Sequence, residues 1–253
     1  GTYVAWNWKA NGSGSSNTNG TITSTVSANT DAGFSIVSYT GNGTNGAYVG
    51  HGLSKAPEMV MIKNRSAADA WRVGFSMFSN DLVLNDTSAA AAYEPGRIGD
   101  LLSTNFELGG TGSYDSTNVS GENYIAYCFH SVDGYSKIGT YTGNGNADGP
   151  FVYTGFKPAF VMVKSSSMSN SETNWVIWDN ERNGYNDNVQ VFANQSWAEG
   201  QRDDNAGAGI AELDILSNGF KHRDATWAQN GQSGATFIYI AFAETPFKYS
   251  NAR

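Results

Sequence analysis

Two pairs of carboxylates, Asp179/Glu181 and Glu212/Asp214, come nearest in this sequence to a catalytic arrangement. Glycoside hydrolysis needs two carboxyl groups about 5 to 9.5 Å apart, one to protonate the leaving oxygen and one to attack or to activate water. A spacing of i, i+2 puts both members of each pair on one face of a strand. Both pairs also lie in or beside polar turns, where solvation alone accounts for the charge. Polysaccharide cleavage is therefore the last-ranked expectation, no residue is assigned a catalytic role, and the chain is expected not to be an enzyme. Nucleophilic chemistry has no candidate, because there is no Gly-x-Ser-x-Gly elbow and the single cysteine, Cys128, falls on an apolar strand face where a thiol is packing. His51, His130 and His222 stand far apart without zinc-ligand spacing and read as surface or boundary residues.

Aromatic residues are the more informative class, with 13 Phe, 13 Tyr and 7 Trp. Trp71 alternates with Val73, and Trp175 with Ile177, which assigns both tryptophans to an inward face. Trp178 then falls on the outward face. Tyr185, Trp197 and Trp227 lie in polar, loop-like stretches. Trp178, Tyr185, Trp197 and Trp227 are thus the expected ligand-binding residues, either stacking on a sugar ring or packing at a protein interface. The Asn/Asp loops at 144–148 and 186–188 carry oxygen ligands of the calcium type, but neither is closed by a bidentate glutamate, and turn formation explains them better. No metal and no cofactor are expected.

The elements that must position these residues come in two copies. Tyr39-Thr40-Gly41-Asn42-Gly43 recurs as Tyr141-Thr142-Gly143-Asn144-Gly145, and the apolar run from Pro57 to Lys63 recurs from Pro158 to Lys164. Trp71-Arg72-Val73 matches Trp175-Val176-Ile177, and Asn105-Phe106-Glu107 loosely matches Gly219-Phe220-Lys221. A Tyr-aliphatic-Ala-aromatic strand appears three times, at Tyr3, Tyr124 and Tyr239, apolar on both faces as a central strand must be. Self-similarity of this kind marks a duplicated unit. Helical periodicity is nearly absent, apart from the four alanines at 89–92, which suit one helical turn or a close-packed loop. Short apolar runs separated by Gly, Asn, Asp and Pro predict an all-β fold of two tandem antiparallel β-sandwiches, jelly-roll or lectin-like, with an extra N-terminal strand.

The expected boundaries are 1–30 for the N-terminal strand and a Gly/Ser/Asn-rich linker, 31–132 for the first sandwich and 133–253 for the second. Within the linker, 21–26 has enough β-branched residues for one edge strand. Gly1 reads as an interior point of a longer architecture, since the strand at 3–9 either completes one domain or closes a lost upstream copy.

Fifteen Lys and Arg against 23 Asp and Glu leave a formal charge of −8, which opposes binding to nucleic acid. No apolar run approaches the roughly 18 residues needed to cross a bilayer, so membrane insertion is not expected. Several segments carry a family resemblance: the two Tyr-Thr-Gly-Asn-Gly runs, the stretch from Gly143 to Phe156, Leu216-Ser217-Asn218-Gly219-Phe220-Lys221, and the ending from Ala241 to Ser250. They resemble a β-rich domain of tail-associated and other virion structural proteins of marine bacteriophages. That resemblance implies a virion surface protein, a tail fibre or receptor-binding component contacting host-surface polysaccharide. A purely structural capsid or tail decoration protein is the alternative. It further implies other virion proteins and further copies of the chain, as a homo-oligomer, for partners, and the virion surface for location. It carries over no catalytic or binding residues.

Overall fold

The computed structural model describes residues 3–78, 80–90, 97–109, 116–169, 173–182, 189–199, 212–225 and 229–245. Among these the fold is all-β, with no helix and with every strand pairing antiparallel. The chain forms two compact units, Gly1–Asp81 with Tyr93–His130, and Leu82–Ala92 with Ser131–Arg253.

In the first unit, β1 (Ser15–Asn17), β2 (Ser24–Asn29), β3 (Phe34–Thr40), β4 (Ala47–Gly50), β5 (Met59–Asn64) and β6 (Arg72–Phe75) precede β7 (Leu82–Val83), which is grouped with the second unit. After them come β8 (Ile98–Leu101), β9 (Asn105–Leu108) and β10 (Asn123–Phe129). One sheet runs β1-β2-β3-β10-β5-β6 and the other β4-β9-β8. Period-two alternation sends Tyr124, Ala126 and Cys128 of β10 into a core shared with Val37, Val60 and Ile62. Val49, Phe106 and Leu108 meet them from the facing sheet.

The second unit repeats this plan. Its strands are β11 (Ser136–Thr142), β12 (Phe151–Tyr153), β13 (Pro158–Ser165), β14 (Val176–Asp179), β15 (Val191–Phe192), β16 (Leu213–Leu216), β17 (Gly219–His222) and β18 (Thr236–Ala243). The sheets run β11-β18-β13-β14-β15 and β12-β17-β16. The Tyr-aliphatic-Ala-aromatic strands β10 and β18 are central, as their two apolar faces require.

The repeated Tyr-Thr-Gly-Asn-Gly segment now has a physical reason. Asn118 and Asn230 are buried side chains that hold this loop in the two units. Asn118 Oδ1 accepts from the Asn42 amide at 2.9 Å, and its Nδ2 donates to Thr44 O at 2.7 Å. Asn230 repeats both contacts, with the Asn144 amide at 2.8 Å and Asn146 O at 2.8 Å. Gly43 and Gly145 adopt φ of 69° and 62°, the left-handed region that favours glycine. The tyrosine hydroxyls donate to Thr117 O and Gln229 O in the two copies.

Three expectations change. Residues 11–30 are not a flexible linker, because β1 and β2 lie within them and Ile22 and Val26 enter the core. There the β-branched residues outweigh the Gly and Ser composition. Residues 3–9 form no strand, and Tyr3 is 92% exposed. An apolar strand is stable only between paired neighbours, and none pairs with it among the described residues. Leu82–Ala92 groups with the second unit, whose side chains grip its carbonyls. Trp175 Nε1 donates to Val83 O at 2.8 Å, and Lys164 Nζ and Thr173 Oγ1 donate to Thr87 O at 3.0 and 2.6 Å. Ala90 N donates to Ser166 O at 3.0 Å, which keeps Ser88–Ala90 a close-packed loop.

Candidate functional site

Trp178 does not face outward. It is fully buried in the second core with Val176 and Leu213. Trp175 and Ile177 take the opposite face. The equivalent first-unit positions agree, since Trp71 stacks on the outer-face Tyr127 at 6.2 Å while Gly74 faces Ile98 of the core. All four residues of β14 are buried, so hydrophobicity could not identify its inward side. Trp197 is half-buried, edge-on to Phe192 at 5.4 Å, whereas Tyr185 and Trp227 lie outside the described residues.

The carboxylate pairs separate. Asp179 closes a turn, accepting from the Glu181 and Arg182 amides at 3.2 Å and from Arg182 Nε at 2.6 Å, while Glu181 is exposed. Glu212 is buried and accepts from the side-chain amides of Gln229 at 2.8 Å and Gln190 at 3.2 Å. Asp214 is instead ion-paired with Arg223 on the outer face of β16. Of the calcium-like loops, 144–148 is a run of turns in which Asn144 Oδ1 accepts from Asn146 N and Asn146 Oδ1 from Asp148 N. Residues 186–188 lie outside the described residues. Among the described residues, no three His, Cys, Asp or Glu side chains group as metal ligands.

All three histidines are buried, against the expectation of surface or boundary positions. His51 Nδ1 accepts from Leu53 N at 3.0 Å and its Nε2 lies 3.1 Å from Leu102 O, which assigns a neutral ring with the proton on Nε2. Burial pushes its pKa down, with the nearby His130 acting in the same sense.

His222 marks a corner where the two copies diverge. Its ring stacks on Tyr141 at 4.9 Å and meets the Trp178 ring edge-on at 6.3 Å. Both ring nitrogens, Trp178 Nε1 and Gln229 Oε1 are buried without a hydrogen-bond partner among the described residues. Burial drives the His222 pKa down to about 3, slightly opposed by Asp224. Strand pairing places Leu108 and Gly74 at the corresponding points of the first unit, so the second unit exchanged an apolar corner for a neutral imidazole and an indole. An imidazole so hard to protonate serves poorly as an acid at neutral pH. The repeat match of Phe106 with Phe220 extends by two residues to Leu108 and His222, which is the sequence signal for this corner.

An outward-facing pair of aromatics completes the picture. On the edge strand β12, Val152 turns inward while Phe151 and Tyr153 are 45% and 59% exposed. Lys137 Nζ lies 5.7 Å from the centre of the Tyr153 ring, within cation–π range. Lys221, opposite Phe151 on β17, pairs with Asp148. The alternation Phe151-Val152-Tyr153, aromatic on the face away from the core, is a sequence signal for this edge.

Fold and surface together define a duplicated β-sandwich protein with a pair of exposed aromatics on a sheet edge. The chain belongs to the DUF7483 family, a domain of unknown function, which covers residues 1–246. No curated protein and no solved structure matches it.

Proposed function

We propose that this protein is a non-catalytic module of a virion surface, a tail fibre or receptor-binding component, and that it contacts host-surface glycans through the outward face of β12. The observation that carries the reading is the pair Phe151 and Tyr153, held two residues apart on one strand beside Lys137. Two exposed rings about 7 Å apart along a strand form an apolar platform, and a flanking ammonium supplies hydrogen bonds to hydroxyl or acidic sugar groups. The resemblance to virion proteins supports the setting, in which display of many copies turns weak contacts into firm attachment.

A multimeric preparation on a glycan array tests this reading. Binding that falls by at least about tenfold in Phe151→Ala/Tyr153→Ala is the expected result, on the scale of alanine truncation of a central aromatic contact. Absence of binding to any glycan would sink the attachment reading. The decoration reading would then gain, since β12 ends its sheet and an open edge suits contact with another protein.

A further inference from the structure

The two units differ at one side of the sandwich, and the first shows what belongs there. In it, residues 20–29 stitch the two sheets together. β2 pairs with β3 from Thr25↔Ser38 to Asn29↔Phe34, and upstream of β2 the chain crosses to β4. Ile22 N donates to Tyr48 O at 3.0 Å, Thr21 Oγ1 accepts from Tyr48 N at 2.8 Å, and Ser24 Oγ donates to Gly50 O at 3.0 Å. Ile22 and Val26 drop their side chains into the core.

In the second unit the equivalent strands, β11 and β12, each end a sheet. The chain passes from β10 to β11 through residues 130–135, too short to repeat the stitch. Ser131 and Val132 cover only the start of β11, where Val132 N donates to Ser136 O at 3.1 Å and Ile138 N to Ser131 Oγ at 3.0 Å. Since Ile138 turns its N–H away from β18, antiparallel alternation sends the N–H and C=O of Thr140 and Thr142 outward too. Both threonines are exposed, and no strand pairs with this edge among the described residues.

We infer that the free edge of β11, with the adjoining β12, receives an added strand from a partner chain. The occupant is an extended Ser/Thr-rich segment with two aliphatic side chains four residues apart, the pattern with which Ile22 and Val26 fill the first unit. A main-chain pairing at Thr140, the counterpart of Ser38 opposite Thr25, holds it, and the aliphatics fix its register. The inference rests on strand topology and does not depend on glycan binding.

A capped, fluorescent peptide of residues 20–29 is the probe, added to the full chain. The first unit's acceptor is already filled by a tethered copy of the same sequence, which a free peptide does not displace. Binding is expected at one site per chain, with amide exchange of Thr140 slowed at least about tenfold in its presence. Thr140→Pro removes one outward donor and is tolerated on a solvent-facing edge, so it weakens binding about tenfold while β18 amides stay protected. A peptide carrying Ile22→Asp and Val26→Asp does not bind. The inference is overturned if no binding occurs up to millimolar peptide, if Thr140→Pro leaves binding intact, or if Thr140 is already protected in the free monomer. Protection that instead follows chain concentration without peptide replaces the partner with a second copy.

Discussion

Acid should loosen the second unit through His222, and the size of the effect follows from its burial. The folded pKa is about 3 and the ordinary value 6.5, so between these pH values the unfolded chain binds a proton that the folded chain excludes. Stability contributed by the neutral ring is fully present above pH 6.5 and is lost as pH falls toward 3. Linkage at 1.36 kcal/mol per pH unit gives a loss of about 2 kcal/mol at pH 5 and about 3 kcal/mol at pH 4. Urea unfolding at pH 8, 5 and 4 measures it, with amide exchange of β18 reporting the second unit. The control is His222→Leu, which installs the residue that the first unit carries as Leu108. Its stability should change with pH less than that of the parent by these amounts. His51 titrates in the same sense but sits in the first unit, so it cancels in the comparison. Equal pH dependence in parent and variant, or a His222 ring that titrates near pH 6.5 by NMR in the folded protein, would show that burial does not hold the ring neutral.

Asn118→Ala and Asn230→Ala each remove a side chain that bonds two backbone groups of a Gly-Asn-Gly loop, so each should cost about 1–3 kcal/mol in urea unfolding and speed amide exchange in its own loop. Unchanged exchange in the affected loop would contradict the matched roles of the two residues. Burial pushes Lys164 down to about 8 from an ordinary 10.5, so the unfolded chain binds the extra proton between those values. The second unit should therefore gain about 3 kcal/mol as pH rises through that window, a gain absent in Lys164→Met and visible as a pH-independent urea midpoint.

Much of the architecture was legible because turn chemistry and period-two alternation are local. The central position of β10 and β18 followed from apolar residues on both faces, and the duplication from matched segments in one order. Face assignment failed at Trp178 for a related reason: a strand buried on both sides carries no contrast from which to read its inward side. Burial of His222 was illegible for a different one. A histidine reads as boundary by type, and only its placement between Tyr141 and Trp178, from distant parts of the chain, removes it from water. The β-branched residues at 21–26 marked a strand within the Gly/Ser-rich stretch 11–30, but its composition hid that β2 lies inside the sheet, between β1 and β3.

The Asn latches and the changed corner argue together about what the duplication preserved. Asn118 and Asn230 make the same bonds to the same loop, so one scaffold geometry serves both copies. Against that fixed frame the core exchanged volume in compensating ways. A Cβ at Gly74 would lie 2.7 Å from Ile98 Cγ2, so the first unit has no room for even a methyl group where the second accommodates a whole indole. Leu213 stands where Ile98 stands, and it does not block Trp178. Gly74 and Trp178 are therefore two solutions to one packing position, each fixed by its neighbours rather than interchangeable. The loss of the stitch is different in kind, because no side chain substitutes for a strand's main-chain bonds. Packing can diverge within a sandwich at little cost, whereas an unpaired edge leaves donors and acceptors facing outward, and such a row is what a partner strand recognises.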